Sequence, residues 1–155
     1  MTDVVAPLLE ESIDIAAPPV RVWSLVSDLG RMSKWSPQVL KTIVRGRPVG
    51  LGTRTININR RGPLVWPTRS KVVRFEPHRE IAFRIKDNFT IWSFSLADNG
   101  SGGTTLTQRR EAPDGLSPIA QSLEDRLMGG VTKFEVELGA GMRETLAKIK
   151  ADAEA

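Results

Sequence analysis

Residues 81–111 read IAFRIKDNFTIWSFSLADNGSGGTTLTQRRE and alternate apolar with polar side chains in three short runs. Successive side chains of a strand point to opposite faces of a sheet, so each run has one apolar face. Asp87-Asn88 and residues 98–103 separate the runs with turn-forming residues. The stretch predicts three antiparallel strands joined as hairpins, at about Ile81–Asp87, Thr90–Ala97 and Thr104–Glu111.

The same pattern extends toward the N-terminus, where short Pro- and Gly-containing breaks separate three more runs. They predict strands at Val39–Arg45, Gly52–Arg60 and Trp66–Phe75, which complete a six-stranded meander. The period of two assigns the following side chains to the inner face: Ile56, Ile58, Val73, Phe75, Ile81, Phe83, Ile85, Trp92, Phe94, Leu96, Leu106, Gln108 and Arg110. In the Trp66–Phe75 run the choice stays open, because Arg69 and Lys71 share the parity of Val73 whereas Trp66, Thr68 and Ser70 compete for the same face.

One strand and two short helices are predicted ahead of the meander. Residues 10–16 alternate as a strand, and Pro18-Pro19 can open a helix over Val20–Val26. A second short helix follows from Asp28 to Trp35. It ends at Ser36, because the residue before a proline is disfavoured in the α conformation.

The C-terminal part, about Ser117–Ala151, is predicted to be helical. Its apolar residues fall on a single stripe at steps of three and four: Val131, Phe134, Leu138, Met142, Thr145 and Ile149. Gly129-Gly130 is unfavourable inside a helix, so this pair either breaks the helix or bends it.

Composition indicates one domain over residues 1–155, with a core at about 10–150. The chain is 40% hydrophobic and 26% charged, which is ordinary for a globular protein. It has no cysteine, which excludes disulfides and Cys-ligated metal sites. We expect a cytoplasmic protein without stable membrane insertion, because no long apolar run or signal peptide is evident. The net charge of +4 is dispersed, and we expect no nucleic-acid binding.

The order of elements resembles the START/Bet v 1-like (SRPBCC) superfamily, in particular its bacterial polyketide cyclase/dehydrase and lipid-transport branch. The residues that carry the resemblance are IDIAAPPVRVW at 13–23, WSP at 35–37, VGLGT at 49–53, RFEPHR at 74–79 and GGT at 102–104. The resemblance implies an α+β helix-grip fold: a seven-stranded curved antiparallel sheet wrapped around a long C-terminal helix, with two short helices after the first strand. It also implies a cavity that holds lipids, sterols or polycyclic products.

We therefore predict binding or transport of a hydrophobic small molecule such as a lipid, fatty acid or polyketide-like compound. The predicted cavity lining is Trp35, Ile58, Phe83, Ile85, Trp92, Phe94, Gln108, Arg110, Phe134, Leu138 and Met142. A polyketide cyclase, aromatase or dehydrase is the alternative, with Arg110 and Gln108 polarising a substrate oxygen. A protein-interaction or regulatory module is the second alternative, and a protein partner is unknown.

No catalytic signature accompanies the fold, so the sequence leaves enzymatic activity open. His78 is the single histidine and lies in a Pro-His-Arg turn. No metal-ligand cluster or Gly-rich phosphate loop occurs, and we expect neither metal nor cofactor. Arg110 has a second interpretation, in which it reaches water or pairs with Glu111 or Asp114.

Overall fold

A computed structural model describes residues 4–155 as one curved sheet and four α-helices. The elements are β1 Leu8–Ile15, α1 Pro19–Val26, a 3-10 turn Leu29–Arg31, α2 Met32–Trp35, β2 Val39–Arg45, β3 Arg54–Arg61, β4 Leu64–Glu76, β5 Glu80–Ile85, β6 Ile91–Asp98, β7 Thr104–Glu111, α3 Pro118–Leu127 and α4 Val131–Glu154. The strand order is β1-β7-β6-β5-β4-β3-β2, with antiparallel neighbours throughout. The predicted α+β helix-grip fold is confirmed.

The register of β6 and β7 fixes the inner face near the C-terminal helix. Trp92 is opposite Arg110, and Phe94 is opposite Gln108. Directly opposed residues of an antiparallel pair lie on the same face. The predicted inward orientation of these side chains is therefore correct.

The predicted orientation of β3 is wrong, because its polar side chains face inward. Thr55 pairs with Ser70, and both are buried, whereas Ile56, the next residue of β3, pairs with Arg69 on the opposite face. Asn57 pairs with Thr68 on the same inner face. When the wall of a cavity is polar, the apolar side chains of a strand lie on its outer face. The alternation of apolar and polar residues therefore assigned Ile56 and Ile58 to the wrong face.

A β-bulge in β4 explains why Val73 was also misplaced. The register shifts between Val72 and Arg74, so two residues of β4 occupy the space of one. Val72 is 1% exposed and belongs to the core, whereas Val73 is 37% exposed. After the bulge Phe75 returns to the inner side and packs edge-on against Trp23, with ring centroids 5.4 Å apart.

The C-terminal helix is broken, not bent, at its glycine pair. The backbone angles φ of Gly129 and Gly130 are +78° and +96°, values that favour glycine and end a helix. Ser117 caps α3 by accepting a hydrogen bond from the backbone N–H of Ala120. The apolar stripe of α4 is buried as predicted at Val131, Phe134, Leu138, Met142, Thr145 and Ile149.

Candidate ligand cavity

A cavity of about 150 Å³ lies between the inner face of the sheet and α4. The wall of the cavity also includes residues from α2, from α3 and from the C-terminal end of α1. All of the predicted lining residues except Ile58 border it: Trp35, Phe83, Ile85, Trp92, Phe94, Gln108, Arg110, Phe134, Leu138 and Met142. The structure thus brings together predicted residues from five elements, α2, β5, β6, β7 and α4.

Ile58 does not border the cavity. It lies opposite Lys41 of β2 and Pro67 of β4, on the outer face of the sheet. Its neighbours Asn57 and Asn59 point inward instead and line the cavity.

Trp35 connects the apolar part of the cavity to the end of α4. The side chain is 2% exposed and borders both the cavity and the main hydrophobic core. Its Nε1–H donates to Oδ2 of Asp152 at 2.7 Å. Buried indoles usually require such a partner, so this bond fixes the ring against the cavity wall.

The wall formed by β2, β3 and β4 is polar, which the sequence analysis missed. Asn59 Nδ2 donates to Thr68 Oγ1 at 2.9 Å, and Thr42 Oγ1 donates to Asn57 Oδ1 at 3.0 Å. The hydroxyls of Thr55 and Ser70 also hydrogen-bond to each other. In β3, Asn57 and Asn59 alternate with Ile56 and Ile58, so one of the two pairs had to face the cavity. The greater hydrophobicity of the isoleucines led to the wrong choice, because the asparagines line the cavity.

Gln108, Arg110 and Glu124 form what we call the polar end of the cavity. Arg110 is 2% exposed, and its Nη2 donates to Oε2 of Glu135 at 2.6 Å and to the carbonyl of Ala6 at 3.1 Å. The same Glu135 oxygen accepts the backbone N–H of Ala6 at 2.9 Å. Arg110 is thus part of a buried ion pair as well as of the cavity wall.

The partner of Arg110 is different from the two considered in the sequence. Glu135 of α4 takes this position, not Glu111 or Asp114. Glu111 pairs with Arg74, whose Nη2 lies 2.8 Å from Oε1 of the glutamate. The pairing was missed because Glu135 lies in the C-terminal helix, on a face that its local sequence assigns to solvent.

Glu124 of α3 is a site residue that the sequence analysis did not select. Its side chain borders the cavity, and the residue is 7% exposed. Burial raises the pKa of Glu124 to about 7, and repulsion from Glu135 and Asp125 adds to this, whereas Arg110 acts in the opposite direction. A carboxyl with such a pKa can be neutral or charged near neutral pH. No local motif signals it, because its burial depends on how α3 packs against α4 beside the cavity.

The raised pKa of Glu124 predicts a pH-dependent stability. The folded protein retains a proton that the unfolded chain releases, so the stabilising contribution is present below the ordinary value of 4.5 and is lost as the pH rises to about 7. Relative to a Glu124→Gln variant, the wild type is expected to lose about 1–3 kcal/mol across this window. Melting temperatures of both proteins at matched pH values measure the difference; a constant difference would contradict the assignment.

Within residues 4–155 no group of three or more His, Asp or Glu side chains is placed to hold a metal ion. His78 lies in the turn between β4 and β5, with its ring 6.2 Å from that of Trp23 and away from the cavity lining. The polar groups that border the cavity include the amide, guanidinium and carboxyl of the polar end, the hydroxyls and amides of the polar wall and the carboxyl of Asp28.

A helix-grip sheet closed around a mixed apolar and polar cavity defines a START/Bet v 1-like class of domain. The chain matches the family described as polyketide cyclase/dehydrase and lipid transport over residues 7–154, and it belongs to that family. No curated protein matches the chain.

Solved structures share this fold over almost the whole chain. The Polyketide_cyc-like protein Cgl2372 from Corynebacterium glutamicum is 28% identical, with a TM-score of 0.64 and coverage of 97% of this chain and 91% of that one. The Zhui aromatase/cyclase from Streptomyces sp. R1128 is 15% identical, with a TM-score of 0.70 and coverage of 95% and 93%. The di-domain aromatase/cyclase BexL of the BE-7585A pathway is 21% identical, with a TM-score of 0.72; the alignment covers 96% of this chain but 50% of BexL.

Proposed function

We propose that the protein binds a hydrophobic small molecule inside the cavity between the sheet and α4. The observation that carries this proposal is the cavity itself, lined by Phe94, Trp92, Leu138 and Met142 on its apolar side and by polar groups on the β2–β4 wall and at the polar end. Apolar walls with a few oriented polar groups are typical of ligand sites. Membership of a family described by cyclase, dehydrase and lipid-transport activities supports the same class of ligand.

The size of the cavity limits what can enter without movement of the walls. Its volume of about 150 Å³ is below the roughly 300–1,000 Å³ of drug-sized sites. A dry apolar cavity of roughly 150 Å³ in another protein binds benzene. Small one- or two-ring compounds are therefore the appropriate first probes, and longer lipids exceed the volume of the cavity in this structure.

Thermal unfolding in the presence of small aromatic and aliphatic compounds tests the proposal. A ligand present at 100 times its Kd stabilises the folded state by about 2.7 kcal/mol, which corresponds to roughly 5–10 °C for a chain of this size. We expect at least some apolar compounds to produce such a shift with the wild-type protein.

Two substitutions of Leu138 provide the control. Leu138→Trp adds an indole to the cavity and is expected to abolish the ligand-induced shift, at an intrinsic cost of about 1–3 kcal/mol. Leu138→Met conserves the volume and is expected to retain the shift. An equal shift in all three proteins would place binding outside the cavity and contradict the proposal.

A second candidate function, cyclisation or dehydration of a polyketide-like substrate, is favoured by Glu124. A buried carboxyl with a pKa of about 7 can take up or release a proton near neutral pH, as general acid–base catalysis requires. Gln108 and Arg110 border the same end of the cavity, where an amide or guanidinium N–H can polarise a substrate carbonyl.

Conversion of an aryl β-hydroxy ketone to its enone tests this second candidate. The reaction removes an α-proton and releases the protonated hydroxyl as water. We expect Glu124→Gln to lose turnover and the wild-type rate to change with an apparent pKa near 7. Unchanged turnover in Glu124→Gln, and in Gln108→Ala, would leave the protein as a binder.

The remaining expectations on partners and location stay predictions. No helix in the described part of the chain is long and apolar enough to cross a membrane. A cytoplasmic location and the lack of nucleic-acid binding remain predictions, and a protein-interaction or regulatory module remains the second alternative.

A further inference from the structure

The polar end contains three buried side chains with incomplete hydrogen bonding. Gln108, Arg110 and Glu124 are each less than one-tenth exposed and each border the cavity. Four buried side-chain atoms of residues 4–155 find no hydrogen-bond partner, and three of them are Oε1 of Gln108, Nε of Arg110 and Oε1 of Glu124; the fourth, Oγ of Ser93, lies away from the cavity lining. Native proteins pair the great majority of such buried atoms, so three exceptions at one end of a cavity point to a ligand group.

The charge of the polar end argues against an anionic ligand. Arg110 is the one positively charged residue in the cavity lining of the described part of the chain, and its Nη2 is already 2.6 Å from Glu135. Glu124 adds a second carboxyl, and it is repelled by Glu135 and Asp125 as well as attracted by Arg110. The combined charge of Arg110, Glu135 and Glu124 is therefore zero when Glu124 is protonated and −1 when it is ionised. A ligand carboxylate would add another negative charge with no free cation to receive it.

The unpaired atoms define the complementary group. Oε1 of Gln108 and Oε1 of ionised Glu124 accept hydrogen bonds, and Nε of Arg110 donates one. A hydroxyl both donates and accepts, so one O–H can pair with an acceptor and with the guanidinium at once. A carbonyl or a carboxylate only accepts and leaves the two oxygens unpaired.

We propose that the polar end selects a neutral hydroxyl group, and that the cavity takes hydroxylated apolar molecules such as phenols and alcohols in preference to free carboxylic acids. This inference rests on the proposed function, because it specifies the ligand of the same cavity. It narrows the ligand class, since fatty acids in their ionised form are disfavoured.

The ionisation of Glu124 adds a dependence on pH. A hydroxyl that donates to the ionised carboxyl stabilises that form, so its affinity increases as the pH rises through 7. A bound carboxylate repels the ionised form, so its affinity decreases over the same range. The opposite trends follow from the charges of Arg110, Glu135 and Asp125 around the same carboxyl.

Titration calorimetry with naphthalene, 2-naphthol and 2-naphthoate at about pH 8 tests the inference. The three probes share one ring system, the naphthol is neutral and the naphthoate is ionised at this pH by analogy with Tyr and Glu side chains. We expect 2-naphthol to bind about tenfold or more tightly than naphthalene, and 2-naphthoate about tenfold or more weakly.

Two substitutions on α3, each removing one carboxylate, test whether the effect on binding comes from Glu124 at the polar end or from any carboxylate of this helix. Glu124→Gln is expected to improve 2-naphthoate binding and to abolish the pH trend of both polar probes. Asp125→Asn removes one carboxylate next to Glu124, on an exposed part of the same helix, and is expected to keep the order of the three affinities. Loss of the order in Asp125→Asn alone would overturn the assignment to the polar end.

The outcomes distinguish this inference from the proposed function. Equal affinities for the three probes, or tightest binding of 2-naphthoate, would overturn the hydroxyl preference while the cavity remained a ligand site. Failure of all three probes to bind would overturn the proposed function and the preference with it.

Discussion

Replacing Arg110 with Met is expected to destabilise the protein by about 3–5 kcal/mol, because it leaves a carboxylate without its cation in a buried place. The side chain of Arg110 is 2% exposed, and that of its partner Glu135 is 10% exposed. Urea-induced unfolding, followed by tryptophan fluorescence, measures the change.

Two further variants separate the ion pair from a general effect of losing an arginine. Arg110→Met combined with Glu135→Leu removes both charges and is expected to recover most of the lost stability. Arg109→Met removes an ion pair with Glu10 in which both side chains are about a third or more exposed, and it should cost less than about 1 kcal/mol. A loss of the same size in Arg109→Met and Arg110→Met would contradict the role of burial.

Replacing Trp35 with Ala is expected to cost about 3–5 kcal/mol, the second large effect. The ring is 2% exposed, contributes to the core and borders the cavity. Trp35→Phe keeps most of the apolar contact but loses the 2.7 Å bond to Asp152, and about 1–2 kcal/mol is expected. Urea-induced unfolding, followed by circular dichroism, measures both values. A Trp35→Phe variant as unstable as Trp35→Ala would assign the effect to the hydrogen bond instead of the packing.

Most of the fold could be predicted because each element has a local signal. The period of two in residues 81–111, the Pro18-Pro19 helix start and the stripe from Val131 to Ile149 all depend on neighbouring residues in the sequence. The structure confirms each of them. The break at Gly129-Gly130 was one of two outcomes that the sequence allowed, and the positive φ angles of this pair decide between them.

The errors on the strands arose because hydrophobic alternation alone was used to assign their inner face. Hydrophobic alternation predicts which face of a strand is buried, but it fails where the inner face lines a polar wall, as at Asn57 and Ile58. It also fails across a bulge, as at Val73. Glu124 was missed for a different reason, because its burial comes from the packing of α3 against α4 beside the cavity and not from the pattern of its own helix.

The central claim is that the cavity holds a small apolar molecule by its rings and, at the polar end, by a hydroxyl. A crystal structure of the protein soaked with 2-naphthol tests it most directly. We expect the rings to lie between Phe94 and Leu138 and the hydroxyl to lie within hydrogen-bond distance of Gln108 or Glu124. Rings bound on the outer face of the sheet, with the cavity residues unchanged, would contradict it.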